Sequence, residues 1–191
     1  GHEGGVELTV ETISNELEWL MERLDQIHSP VVTAHGDLQY GNFMQNIPTQ
    51  ANGWSEKLWL LDFEYGLRAP RGYDVANFFN EFGGQYHSET PHVMDWEKVD
   101  VEEKRDLFSQ AYLRAHASCN GRDPSEVTTE DVQALKREAQ EFSLASHFHW
   151  GLWGLLSAGT SNVDDFDFNG FAQGRFRRYY IEKERLLAAK L

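Results

Sequence analysis

Two short apolar runs constrain this chain more than any other feature: "PVVTAH" at residues 30–35 and "KLWLLDFE" at 57–64. Each has strand length, and each brings an aspartate, Asp37 or Asp62, to a loop. Two β-branched valines mark the first as a short buried strand. "NFMQN" is a third strand candidate, and "IPTQANGWSE", with its Pro, Asn and Gly, suits a hairpin connection between it and "KLWLLDFE". Two polar loops therefore flank one small hairpin.

The rest of the chain has helical spacing. Val10, Ile13, Leu17, Leu20, Leu24 and Ile27 recur at steps of three and four, with Thr9 placed to cap the stripe and Pro30 beyond its end. After Asp74, an eligible N-cap, "VANFFNEF" puts Val75, Phe78, Phe79 and Phe82 on one face. Helices are predicted over residues 101–117, 129 to about 159, and 171–190, with "GTSNVDDFDFNG" as the loop between the last two. The expected class is α+β, mostly α. Residues 1–9, opening "GHEGG", read as a tag remnant or linker, and 10–191 as one lobe.

At 191 residues, 40% hydrophobic and 13% aromatic, the chain can bury a sizeable core. A net charge of −14 argues against nucleic acid as a partner and suits cationic ligands or divalent metals. The single cysteine, Cys119, excludes an internal disulfide framework and a thiolate zinc site, and points to a reducing compartment. No apolar run of about 18 residues occurs, so no membrane span is predicted, and a cytoplasmic location is expected.

Asp37, Asn42 and Asp62 are oxygen donors at strand ends, where a scaffold can hold a hard cation. The pattern H-x-D-x-x-x-x-N, followed by D-F-x after a buried strand, is a phosphoryl-transfer layout: one carboxylate accepts a hydroxyl proton, while the amide and second carboxylate share magnesium. Each residue alone is also an ordinary turn former; the two motifs in order favour chemistry. His35 is expected to hydrogen-bond backbone and hold the loop in shape. His147 and His149, two apart on a helix, face different ways and make a poor metal pair. Trp150 and Trp153 share a face, either as core or as aromatic walls for a quaternary ammonium.

"HGDLQYGNFM" resembles the catalytic loop of the choline and ethanolamine kinases, and "LLDFEYGLRAPRGYDVANFFNEF" resembles their metal-binding segment and the following helix. "FSLASHFHWGLW" and "FDFNGFAQGRFRRYY" are similar to their C-terminal helices. The resemblance implies a protein-kinase-like C-terminal lobe using Mg2+, with ATP as co-substrate. It implies phosphorylation of choline or ethanolamine to phosphocholine or phosphoethanolamine, the first step of phospholipid headgroup synthesis. On it, Asp37 is the catalytic base, Asn42 and Asp62 are the metal ligands with Asp62 also on the nucleotide side, Gln39 lines the catalytic loop, and Glu64 lies near metal and phosphates. Trp150 and Trp153 line the amino-alcohol pocket with Tyr65, Tyr86, Phe166, Phe171 and the acidic Glu81, the expected partner of a primary ammonium.

The chain also departs from the family pattern. It has His-Gly-Asp where many members have His-Asn-Asp, and Gly36 is shared with the aminoglycoside phosphotransferases. The alternatives are therefore a small-molecule phosphotransferase of that type, or a non-catalytic amine-binding lobe. Gly83-Gly84 leaves the placement of Tyr86 open. No glycine-rich loop and strand-borne Lys cover the phosphates, so the chain reads as a C-terminal lobe without its N-terminal nucleotide-binding lobe. Alone it is expected to be inactive, with exposed apolar surface that favours a homodimer. "RGYD" looks more like choline kinases, "NEFGG" and "FDFNGF" more like ethanolamine kinases; dual specificity is the expectation.

Overall fold

In the computed structural model, which describes residues 8–46, 57–163 and 165–189, helix α1 (Val10–Asp25) starts where Thr9 and Thr12 form a reciprocal capping box. Its stripe turns Leu20 into a cluster with Leu144, Phe148, Phe176 and Tyr179, against which Ile13 and Leu24 also pack. Pro30 then precedes β1 (Val31–Ala34).

The hairpin forms as expected: β2 (Phe43–Gln45) pairs antiparallel with β3 (Leu58–Leu60), Phe43 opposite Leu60. Residues 47–56 of its connection lie outside the described residues. β1 pairs antiparallel with β4 (Leu67–Pro70), Val31 opposite Pro70 and Ala34 opposite Leu67. Leu-Arg-Ala-Pro lacks strand character of its own, and its pairing with β1 is what makes it extended. The "buried strand" expectation is corrected: Val31 is 55% exposed and only Ala34 of β1 is buried. β3 is also shorter than its apolar run, and Asp62 just beyond it takes φ +62°.

Helix α2 (Arg71–Asn80) begins before Asp74, at Arg71, with Pro70 in the N-cap position. Asp74 is thus a first-turn residue rather than the cap. Short α3 (Trp96–Val99) leads to α4 (Glu102–Cys119), and a second capping box between Thr128 and Asp131 starts the 32-residue α5 (Thr129–Thr160). Helix α6 (Phe168–Ala188) begins earlier than predicted because Asp167 caps it, accepting the Gly170 N–H at 2.8 Å.

Helix α5 is the centre of the fold, packing on α6, α2, α4 and α1. Val75, Ala76 and Phe79 of α2 meet Leu135, Ala139 and Phe142 of α5, with Phe78 and Phe82 at the edge. Buried side chains of this size each contribute about 1.5–3 kcal/mol relative to exposure. A third cluster, Met94, Trp150 and Phe171, joins α5 and α6 next to the catalytic loop. Among the described residues no helix is long and apolar enough to cross a membrane.

Candidate active site

The loop of residues 35–42, the candidate catalytic loop, leaves β1 at Ala34 and is held by hydrogen bonds along its length. His35 is buried; its Nε2–H donates to the Leu61 carbonyl at 2.8 Å, while Nδ1 accepts the Asp37 N–H at 3.3 Å. One neutral tautomer satisfies both contacts, which is the loop-holding role expected of this residue. The Leu61 N–H in turn donates to the Asn42 carbonyl at 2.9 Å. Leu61 is therefore held at both ends, and this brings Asp62 beside the catalytic loop.

Asp37 is half-buried, and its carboxylate accepts the Asn42 Nδ2–H at 2.9 Å; the same amide donates to the Asp37 carbonyl, also at 2.9 Å. Burial lifts the Asp37 carboxyl above its ordinary value. The Asn42 amide and His35 oppose that shift, while the negative charges of Glu81 and Asp62 reinforce it. Gln39 caps the one-turn 3-10 helix Tyr40–Asn42, its Oε1 accepting the Gly41 N–H at 2.7 Å.

All seven residues expected to bind the amine come together. Tyr65, Glu81, Tyr86, Trp150, Trp153, Phe166 and Phe171 line one cavity of about 250 Å3, closed by Asp37, Gln39 and Glu64. Glu64 thus faces the aromatic cavity, while Asn42 and Asp62 are not among its walls. Both tryptophan N–H groups are occupied inside the protein: Trp150 donates to Asn77 Oδ1 at 2.7 Å and Trp153 to the Tyr65 hydroxyl at 3.0 Å. Trp150 is buried core and Trp153 half-buried, their rings 5.5 Å apart, and both also stand in the cavity wall. A roomier apolar cavity of about 570 Å3 lies between α1, β4 and α5, but Asp37 is not in its wall.

Three residues were missed. Asp74, read as a cap, instead accepts the backbone N–H groups of His35 and Gly36 at 3.0 and 2.9 Å. Asn77 orients Trp150. Arg175, fully buried, ion-pairs with Glu81, whose other oxygen accepts the Tyr86 hydroxyl at 2.5 Å. Glu81 therefore stands in the cavity wall with one hydrogen bond to each of its oxygens from inside the protein. Gly84 makes this arrangement possible, since a Cβ there would lie 2.9 Å from the Tyr86 ring.

The donor set fits magnesium. Asn42 turns its NH2 to Asp37, leaving the amide oxygen as its remaining acceptor, and Asp62 offers a carboxylate on an exposed left-handed residue. No group of three or more His, Cys, Asp or Glu side chains among the described residues could hold a metal. A cation held by one or two protein oxygens, completed by water and phosphate, is the habit of Mg2+.

Fold and site define a protein-kinase-like C-terminal lobe. The family model "Choline/ethanolamine kinase" matches residues 2–180, and the chain belongs to that family. It is 36% identical over 180 residues to probable choline kinase 2 of Arabidopsis thaliana, covering 94% of this chain and 47% of the relative. It is 34% identical over 179 residues to ethanolamine kinase 1 of Mus musculus, covering 94% and 46%. Among solved structures, the choline kinase of Cryptosporidium parvum superposes with a TM-score of 0.71 at 28% identity, over 94% of this chain and 50% of that one. The chain spans about half the length of the curated relatives it matches.

Proposed function

We propose that these residues supply the base, metal ligands and amine pocket of an ATP- and Mg2+-dependent choline/ethanolamine kinase acting in phospholipid headgroup synthesis. The observation that carries this reading is Asp37 itself. Its carboxylate is oriented by Asn42 and stands in the wall of an aromatic cavity sized for a small amine. Burial strengthens it as a base for the amino-alcohol hydroxyl, and the tryptophan faces hold the cationic end by cation–π attraction. Asn42 and Asp62 would hold Mg2+, which supplies charge neutralisation on the nucleotide phosphates.

The largely aromatic lining, with few hydrogen-bonding groups, suits a small cationic amine better than a hydroxyl-rich, multi-ring aminoglycoside. The intact set of Asp37, Asn42 and Asp62 disfavours a purely amine-binding lobe. Nothing in the sequence supplies a glycine-rich loop and strand Lys, so closure over ATP is assigned to residues outside this chain.

The test has two arms. The 191-residue chain, given ATP, Mg2+ and each amine, yields no phosphorylated product above background. A longer chain that adds a phosphate-covering loop yields product, and its magnesium requirement rises in Asp62→Asn and Asn42→Ala. Turnover by the short chain alone, or an unchanged magnesium titration, would refute the respective assignment.

A further inference from the structure

Away from Asp37, Arg105 of α4, Lys136 of α5 and Arg178 and Arg185 of α6 line one small pocket of about 60 Å3 together with two carboxylates, Asp100 and Glu182. None of these six residues stands in the wall of the amine cavity. Positive charge in the walls thus exceeds negative by two, in a chain whose net charge is −14. The side chains of Lys136 and Arg178 are only 8% and 7% exposed. The two acids are held differently. Glu182 is committed inside the protein, one oxygen accepting Arg178 Nε–H at 2.7 Å and the other the Ser143 hydroxyl. Asp100, from the link between α3 and α4, is 46% exposed and shared by three arginines. Arg178 Nη2 donates to both of its oxygens, at 3.0 and 2.9 Å, but Arg105 and Arg185 come no nearer than 3.3 and 3.8 Å. Charge-assisted pairs close to about 2.7–2.9 Å, so these two guanidiniums are loosely held. Arg105 lies over the Phe79 ring at 5.6 Å, and its buried Nε has no hydrogen-bond partner among the described residues. Lys136 pairs with Glu102 and Asp106, which face water and are screened by it.

We propose that this pocket between α4, α5 and α6 binds a small oxyanion of the phosphate class, with Arg105, Arg178, Arg185 and Lys136 as its ligands. A tetrahedral dianion matches the surplus of two positive charges. It also presents more acceptor oxygens than the single Asp100 carboxylate, so it can close the loose contacts of Arg105 and Arg185 and give Arg105 Nε an acceptor; guanidinium is the side-chain group best matched to phosphate. Asp100 is the competing anion, and its exposure lets water take it up as the oxyanion enters. The small volume suits a phosphate group rather than a whole nucleotide, so a phosphomonoester would enter head first with its organic part at the mouth. None of this depends on phosphoryl transfer at Asp37.

The experiment is calorimetric titration of the 191-residue chain with inorganic phosphate and with methyl phosphate, at constant ionic strength. Both should bind saturably with a Kd of about 1 mM or tighter, and saturating phosphate should raise the thermal midpoint. The overall negative charge opposes anion uptake elsewhere on the surface. Arg185→Gln should weaken binding by about threefold to tenfold. Asp100→Asn removes the competing charge and should strengthen binding by a similar factor, an effect that loss of structure would not produce. Both replaced side chains are about half exposed, so the variants test binding rather than folding. Equal affinities for the two probes assign the site to the phosphate group itself, and a preference for one names the source, a monoester end or the free ion. No saturable binding of either probe, or affinities that Arg185→Gln and Asp100→Asn fail to move in opposite directions, overturns the site.

Discussion

Asp74 holds Gly36 from across the fold: one carboxylate oxygen accepts the Gly36 N–H at 2.9 Å while the other takes that of His35 at 3.0 Å. A residue of α2 thus fixes the backbone just before Asp37. Asp74→Ala leaves two buried N–H groups unpaired, each costing about 1–3 kcal/mol. The expected result is a clear drop in thermal midpoint, with Asp74→Asn intermediate because it keeps one acceptor. In the longer, active chain kcat should fall more than the amine KM rises.

Gly36 has φ +82°, and a Cβ there would meet the Tyr65 carbonyl at 2.4 Å. Gly36→Ala therefore combines a left-handed backbone cost of about 1–2 kcal/mol with a clash that pushes on a pocket wall. Thermal unfolding and choline titration should both worsen. Gly36→Asn tolerates the backbone but not the clash, so comparing the two variants separates the contributions.

Asp37 is a stability liability. Because the folded chain binds its proton more tightly than the unfolded chain, ionising it costs the folded state. That cost is absent below the ordinary carboxylate range, grows as pH rises through the raised folded value, and is complete above it. Asp37→Asn should therefore raise the thermal midpoint at pH 7, with the advantage vanishing on acidification. In the active chain it should lower kcat by about 100-fold or more.

The tryptophans should separate on stability. Trp150, 6% exposed and bonded to Asn77, should cost about 3–5 kcal/mol as Trp150→Ala, whereas the half-buried Trp153 should cost less. Both variants should weaken choline more than ethanolamine, read from paired titrations. Equal losses for both amines would leave the rings as core alone.

The helices were legible because their apolar stripes and caps are local signals: Thr9 and the spacing from Val10 suffice for α1. The hairpin and the clustering of pocket residues were also accessible, the latter through family resemblance rather than spacing. β4 was not, because Leu-Arg-Ala-Pro is extended only by pairing with β1. Asp74 and Arg175 were missed for a related reason. Their partners lie far away in sequence, 38 positions for Gly36 and 94 for Glu81, and no local pattern marks a carboxylate that caps a distant loop or a cation that neutralises a pocket acid.

Because α5 packs on four other helices, Trp150 and Trp153 cannot be exposed without disrupting most of the lobe. The β2–β3 pair next to Asp62 is different, with Met44, Leu58 and Trp59 all at least half exposed. Hydrogen–deuterium exchange should therefore divide the site: amides around the tryptophans exchange only through global unfolding, while those of Met44 and Trp59, which face each other in the β2–β3 ladder, exchange through cheaper sub-global openings. On the proposed function, the amine end is the preorganised one, and the metal end is where ligand binding should slow exchange.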